Sequence, residues 1–147
     1  VPAAPDPRDD FGIFDEYEHM FFGLSEPYAM IREETTRILQ QQVPGTRIES
    51  IRCHGEPNWL TLGREVPDAP DKLVVGHFAF CFRCDLSVAT PSDSEVIDAT
   101  LTFMFGNMDR PGEQKMRVDM AVYADAEPAL AAEEFQRRFV EFRGQFE

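Results

Sequence analysis

One hundred and forty-seven residues, 43% hydrophobic and 28% charged, describe one folded domain rather than a disordered, collagen-like or multidomain chain. Twenty-seven acidic against 14 basic residues give a formal charge of -13, a field that repels phosphate backbones and anionic lipid surfaces, so no nucleic-acid partner is expected. The best apolar run, Leu73 to Phe82, carries His77 and is about half of the roughly 20 residues that a membrane span needs, so no membrane segment is expected either.

Residues 1–9, rich in Pro and Asp, lack the basic start and apolar stretch of a signal peptide and are expected to form a flexible tail ahead of a single domain over 10–147. Ile13, Tyr17, Met20, Phe21 and Leu24 recur at helical spacing and predict a first helix over 10–22 that stops at Gly23. Ser25 can cap a second helix that has Pro27 in its first turn and runs to about Gln42, ahead of Pro44 and Gly45. Its apolar stripe is Tyr28, Ile31, Thr35, Ile38 and Gln42, with Glu34 on the flank of the stripe and Glu33 on the far side.

From Arg47 to Ala124 the period falls to two, in four runs separated by turn material at 66–71, 90–94 and 107–112, which predicts an antiparallel meander. If each turn closes symmetrically, parity puts Phe78, Phe80, Phe82, Cys84 and Leu86 on the same face as Ile97, Ala99, Leu101, Phe103 and Phe105, and as Met116, Val118, Met120 and Val122. Ile51, Cys53, Trp59 and Thr61 join that face. The other face collects Arg52, His54, Glu56, His77, Arg83, Asp85, Asp98, Thr100, Thr102, Arg117, Asp119 and Tyr123. Gly55 and Pro57 inside the first run mark a bulge or bend.

Asp125 and Pro128 open a terminal helix whose Phe135, Phe139, Phe142 and Phe146 form one aromatic stripe. That stripe packs on the domain's own sheet or serves a dimer contact, and a charged sheet face with nothing obvious to cover it leads to the expectation of a homodimer. Three cysteines, Cys53, Cys81 and Cys84, are too few and odd in number for a disulfide framework, which points to reduced thiols and a cytoplasmic setting. Cys81 and Cys84 have C-x-x-C spacing, but inside a strand the two point to opposite faces and share neither a metal nor a bridge.

The segment Gly112 to Asp125, followed by Pro128 and Leu130, is similar to the last strand of SnoaL-like proteins and its exit through a Tyr-x-Asp-x-x-Pro-like stretch. A helix ending in Gln41-Gln42-Val43-Pro44-Gly45, then a strand from Thr46 and two long strands, matches the order of the same superfamily over about residues 25–130. The resemblance implies an α+β fold in which N-terminal helices pack on a curved antiparallel meander, the cystatin-like cone of the nuclear-transport-factor and SnoaL-like superfamily. Here it carries an added C-terminal helix and fewer residues ahead of the helix at 26–42.

The resemblance further implies a cofactor-free enzyme, a polyketide cyclase, epoxide hydrolase, dehydratase or isomerase, or else a non-catalytic binding domain, since the fold alone does not choose. No metal or phosphate-binding motif and no G-x-S-x-G elbow is present, and neither cofactor nor metal is expected. Proton transfer in an apolar cone needs titratable groups held inward. His54 is a candidate because the bulge at Gly55 can turn it, and Glu34 because it flanks an inward stripe; Tyr28, Trp59, Phe80 and Phe103 would line the cavity around a hydrophobic polyketide- or terpenoid-like substrate. Arg52, Arg83, Asp85, Asp98 and His54 cluster on the mixed face, either as an acid/base group or as the alternating charges of a solvated sheet. The competing function is a non-catalytic ligand-binding or dimerisation module.

Overall fold

A computed structural model describes residues 6–17, 25–62, 77–110, 113–125 and 128–144, in the order α1 (Gly12–Asp15), α2 (Pro27–Gln42), β1 (Arg47–Leu62), β2 (His77–Ala89), β3 (Ser94–Arg110), β4 (Glu113–Ala124) and α3 (Pro128–Gly144). The four strands form one open antiparallel sheet in the order β1-β2-β3-β4, as expected for a meander. This is an α+β fold. Among the described residues no helix is long and apolar enough to cross a membrane.

Parity is kept across β2, β3 and β4: Phe80 pairs with Phe103 and Phe103 with Met120, while Phe82 pairs with Leu101 and Leu101 with Val122. It is kept because the turns are tight. Ala89 pairs with Ser94, and Thr90 closes the intervening turn by donating its N–H to Asp93 O at 2.7 Å. β3 runs on to Arg110, opposite Glu113, so the strands extend well into the segment expected to be a turn at 107–112.

β1 is less regular. Glu49 is an unpaired extra residue between Ile48 and Ser50, and this one-residue bulge reverses parity so that Ile48 and Ile51 are both buried. Between His54 and Asn58 two extra residues are accommodated, with Gly55 at φ +80° taking the conformation that disfavours a side chain. Two extra residues preserve parity. Trp59 therefore falls opposite Phe80, as expected; its side chain, like those of His77, Phe78, Phe105, Met116 and Arg117, lies outside the described residues.

Of the first helix expected over 10–22, residues 10–17 form only the single turn of α1, and residues 18–24 lie outside the described residues. Asp10 is taken by the sheet: its N–H donates to Ile51 O at 2.8 Å and its carbonyl accepts from Cys53 N–H at 3.1 Å, which holds the chain extended along the outer edge of β1. Arg32 of α2 ties the same segment down. Its guanidinium donates to Asp9 and Asp6 and to the Ile48 and Glu49 carbonyls, all at 2.8–3.0 Å.

α2 starts at Pro27 and ends at Gln42, as the sequence indicates, but Glu26 rather than Ser25 is the capping position, in a left-handed conformation and without a side-chain cap bond. Its buried stripe is Ile31, Thr35 and Leu39, one position on from the expected Ile38. Gly45, at φ +84°, lets the exit from α2 pass the β2–β3 turn, since an added Cβ would sit 2.9 Å from Pro91 Cγ.

Two layers of apolar side chains enclose the sheet. On one face α1 and α2 bring Phe11, Phe14, Ile31 and Leu39 onto Ile51, Phe80, Phe82, Leu86, Leu101 and Phe103. On the other, α3 lays Phe135, Phe139 and Phe142 on Ala79 and Met104. The terminal aromatic stripe thus packs on the domain's own sheet, and it covers part of the charged face on which the homodimer expectation rested; Phe146 lies outside the described residues.

Candidate functional site

The mixed face of the sheet is polar along most of its length, but Ala79 and Met104 interrupt it with an apolar patch, and that patch is where α3 lands. Where the patch gives way to charge, α3 and the sheet separate to leave a groove of about 560 Å³. Ala131, Ala132, Phe135 and Gln136 of α3 form one wall. The floor is Cys81, Thr100, Thr102 and Tyr123, and the open end carries His54, Glu56, Arg83 and Asp98. Gly55 and Asn58 place the β1 bulge along this rim.

His54 is held by register. It pairs with Arg83 on β2, and the neighbouring pair Arg52 and Asp85 brings the Asp85 carboxylate alongside, with His54 Nε2 3.6 Å from Asp85 Oδ1. Both side chains are 48% exposed, so the pair is a rim feature rather than a desolvated one. Asp85 and Asp98 lie directly opposite each other on β2 and β3, a like-charge pairing that costs stability when uncompensated. Arg83 offsets it by donating to Asp98, and His54 stands by Asp85. The donor atoms of His54, Asp85 and Asp98 lie within 4.8 Å of one another, which makes them the set among the described residues that can hold a divalent ion, with the Arg83 guanidinium competing for Asp98.

Deeper in, burial pushes the Cys81 thiol up from its ordinary range, partly opposed by hydrogen bonding with Asn58. Burial likewise raises Tyr123, whose phenol oxygen is enclosed without a hydrogen-bond partner. Nearby on α3, Arg138 donates to Asp119 Oδ2 at 3.1 Å while its Nε is enclosed and unpartnered.

The sequence-derived candidates divide between the two faces. His54 lines the groove, but parity is preserved through the bulge, so it stays on the mixed face and does not turn toward the helices. Glu34 lies on α2, on the other side of the sheet, 40% exposed and paired with Arg37 at 2.8 Å. The Tyr28 phenol donates to Asp15, and its ring stacks on Phe11 with centroids 4.9 Å apart. Phe80 and Phe103 are fully buried and stack on each other, with Phe14 edge-on to Phe103 at 5.6 Å. Trp59 is opposite Phe80 in register. Over Phe82 and Phe103 the layer is occupied by Phe14 of α1.

Sequence reasoning placed Arg83, Asp85 and Asp98 together on the mixed face, and the structure does so; it did not place the α3 wall or Tyr123 in one groove with them. The signal was present in Ala79, Cys81, Met104 and Ala121, small or apolar residues at mixed-face parity, which mark the footprint of a covering helix. Comparison with protein-family models, with curated proteins and with solved structures finds no match.

Proposed function

We propose that the groove binds a small molecule with an apolar body and a polar end, and that His54, steered by Asp85, moves a proton on it without a cofactor. The observation that carries this reading is the juxtaposition of an imidazole–carboxylate pair with a half-apolar groove of about 560 Å³, within the usual range for small-ligand sites. Ala131 and Phe135 would take the apolar body, and Arg83 and Gln136 would meet polar groups at the open end.

In this mechanism His54 abstracts a proton next to an electron-withdrawing group, and the Asp85 carboxylate stabilises the imidazolium that forms. The separation of 3.6 Å is longer than a hydrogen bond, and such contacts tighten when substrate fills the site. Isomerisation, dehydration or cyclisation of a polyketide- or terpenoid-like molecule falls within this chemistry, and it is the class that the SnoaL-like resemblance implies, with the site moved to the sheet face away from α2. In this reading Glu34, Tyr28, Phe80 and Phe103 support the fold.

The test uses a generic probe of a base beside an apolar surface, the ring-opening elimination of 5-nitrobenzisoxazole, which needs one proton abstracted and no cofactor. Saturable acceleration over buffer that is lost in His54→Ala and blocked in Ala132→Trp, which fills the groove from an exposed position, supports the reading. Binding of 8-anilinonaphthalene-1-sulfonate that Ala132→Trp abolishes, with no His54-dependent turnover, would leave the non-catalytic binding module as the function.

A further inference from the structure

Cys53 and Cys84 are register partners on β1 and β2. Cross-strand partners point to the same face, and here both side chains are buried in the layer under α1 and α2. The type of pairing follows from the hydrogen bonds on the outer edge of β1. Ile51 O accepts from Asp10 N–H and Cys53 N–H donates to Asp10 O, so the backbone groups of Ile51 and Cys53 point away from β2. Cys53 and Cys84 therefore form a non-hydrogen-bonded antiparallel pair, the type in which Cα atoms approach to about 4.5 Å and side chains are closest. That spacing is within the roughly 4.4–6.8 Å that a disulfide spans.

The third cysteine has no such option. Cys81 is opposite Asn58 and Thr102, at the parity of the mixed face, so the sheet itself lies between its thiol and the other two. One pair is set for bridging and one thiol is set apart, a partition that the odd count and the C-x-x-C spacing hide.

We propose that Cys53 and Cys84 are a disulfide-forming site, closed by a low-molecular-weight disulfide such as oxidised glutathione. The thiolate of one cysteine attacks a sulfur of oxidised glutathione, the glutathione S–S bond breaks, and one glutathione thiolate leaves. The second cysteine thiolate then attacks the protein sulfur of the mixed disulfide and expels the other glutathione. Two protein thiols are oxidised, one external disulfide is reduced to two thiols, and the two protons pass to the departing thiolates. The bridge joins β1 to β2 immediately beneath His54 and Asp85, next in sequence to Cys53 and Cys84, but the inference does not rest on the function proposed for them.

Hydrogen bonding with Cys84, followed by burial, pushes the Cys53 thiol far above its ordinary range, so the closed native state reacts slowly. Exchange proceeds when the segment at residues 6–17, which bonds to the edge of β1 at Ile51 and Cys53, opens locally. The reaction is therefore expected to be slow, to speed up when Arg32→Met loosens that segment, and to reach the same end point.

The native chain is equilibrated with graded ratios of oxidised to reduced glutathione, quenched by alkylation and mapped by peptide mass spectrometry. At the oxidising end the free thiols fall from three to one, the remaining alkylated residue is Cys81, and the mass lost is that of two hydrogens, restored by dithiothreitol. Cys81→Ser keeps the bridge, whereas Cys53→Ala and Cys84→Ala each abolish it. The bridged form melts higher than the reduced form, by on the order of 10 °C. Three free thiols at the most oxidising ratio, a bridge that contains Cys81, or a bridged form that melts below the reduced one would overturn the proposal; the mapping on the unsubstituted chain decides it even if a variant fails to fold.

Discussion

Phe80 and Phe103 stack across β2 and β3 with ring centroids 5.3 Å apart and planes inclined by 28°, and neither has any exposed surface. Phe14 stands edge-on to Phe103 and Phe82 edge-on to Phe80, so each of the two central rings has aromatic neighbours on more than one side. A ring enclosed this way has no free face for a ligand. Phe103→Ala is therefore expected to lower unfolding stability by about 3–5 kcal/mol, the usual cost of an aromatic-sized cavity. Chemical denaturation measures it. At temperatures where the variant is folded, dye binding in the groove on the opposite face should be unchanged, and a selective loss of dye binding would reassign Phe103 to the site.

His54→Ala has the opposite profile. Because His54 and Asp85 are each about half exposed, removing the imidazole should change stability by no more than about 0.5 kcal/mol. Turnover of the benzisoxazole probe should fall by about two to four orders of magnitude, the usual loss for a general base. Asp85→Asn should give a smaller loss with the probe's KM unchanged, since it leaves the base in place and removes only the charge that stabilises the imidazolium. Equal turnover in wild type and His54→Ala would remove the catalytic part of the proposal.

Much of the fold was legible because strand parity survives any bulge of even length. The two extra residues around Gly55 left Trp59 in register with Phe80, and tight turns carried the same parity through β2, β3 and β4. The bulge at Glu49 could not be read, because a single unpaired residue has no signature beyond two inward isoleucines spaced three apart. At its start α1 is shorter than the spacing of Ile13 and Tyr17 suggests, because that spacing says nothing of Asp10 being drawn into the sheet edge. As for the site, many aromatics on one face suggested a cavity lining. Whether such a face encloses space or fills it depends on what the N-terminal segment inserts, here Phe11 and Phe14, and that is a tertiary fact.

Glu34 offers a control on the same point. It is paired with Arg37 one helical turn away on an exposed flank of α2, a solvent-screened contact that contributes little to stability. Glu34→Gln should leave both melting temperature and probe turnover within error of wild type. A loss of turnover without loss of stability would show that the α2 face, rather than the groove, holds the reacting molecule.

Arg32 should matter more than its position suggests. It bonds Asp9, whose side chain is almost fully buried and also accepts from Ile51 N–H, so its removal strands a carboxylate at the edge of β1. Arg32→Met, which keeps the aliphatic stem, should cost about 2–3 kcal/mol. Hydrogen exchange localises the effect: the amides of Asp10, Ile51 and Cys53 should lose protection before those of β3. Uniform loss across the sheet would mean that the segment at residues 6–17 is not a separately opening unit.

Tyr123 is expected to set an alkaline limit on α3 docking. Burial between β4 and α3 raises its phenol above the ordinary value of 10.0, with Arg138 opposing, so the folded state binds the proton more tightly than the unfolded state does. The sign follows from linkage. The contribution of a group with a raised folded pKa is fully present below its unfolded value and is lost as pH rises through the folded value. Melting temperature should therefore be flat up to about pH 9 and fall above about pH 10, with α3 released as the tyrosinate forms. Tyr123→Phe removes the titrating group together with an enclosed hydroxyl that has no partner, so it should flatten the alkaline limb and leave neutral stability equal or higher by about 1 kcal/mol. Melting curves across this pH range, with tyrosinate absorbance recorded alongside, decide the matter: an alkaline fall as steep in Tyr123→Phe as in wild type would assign it to other groups.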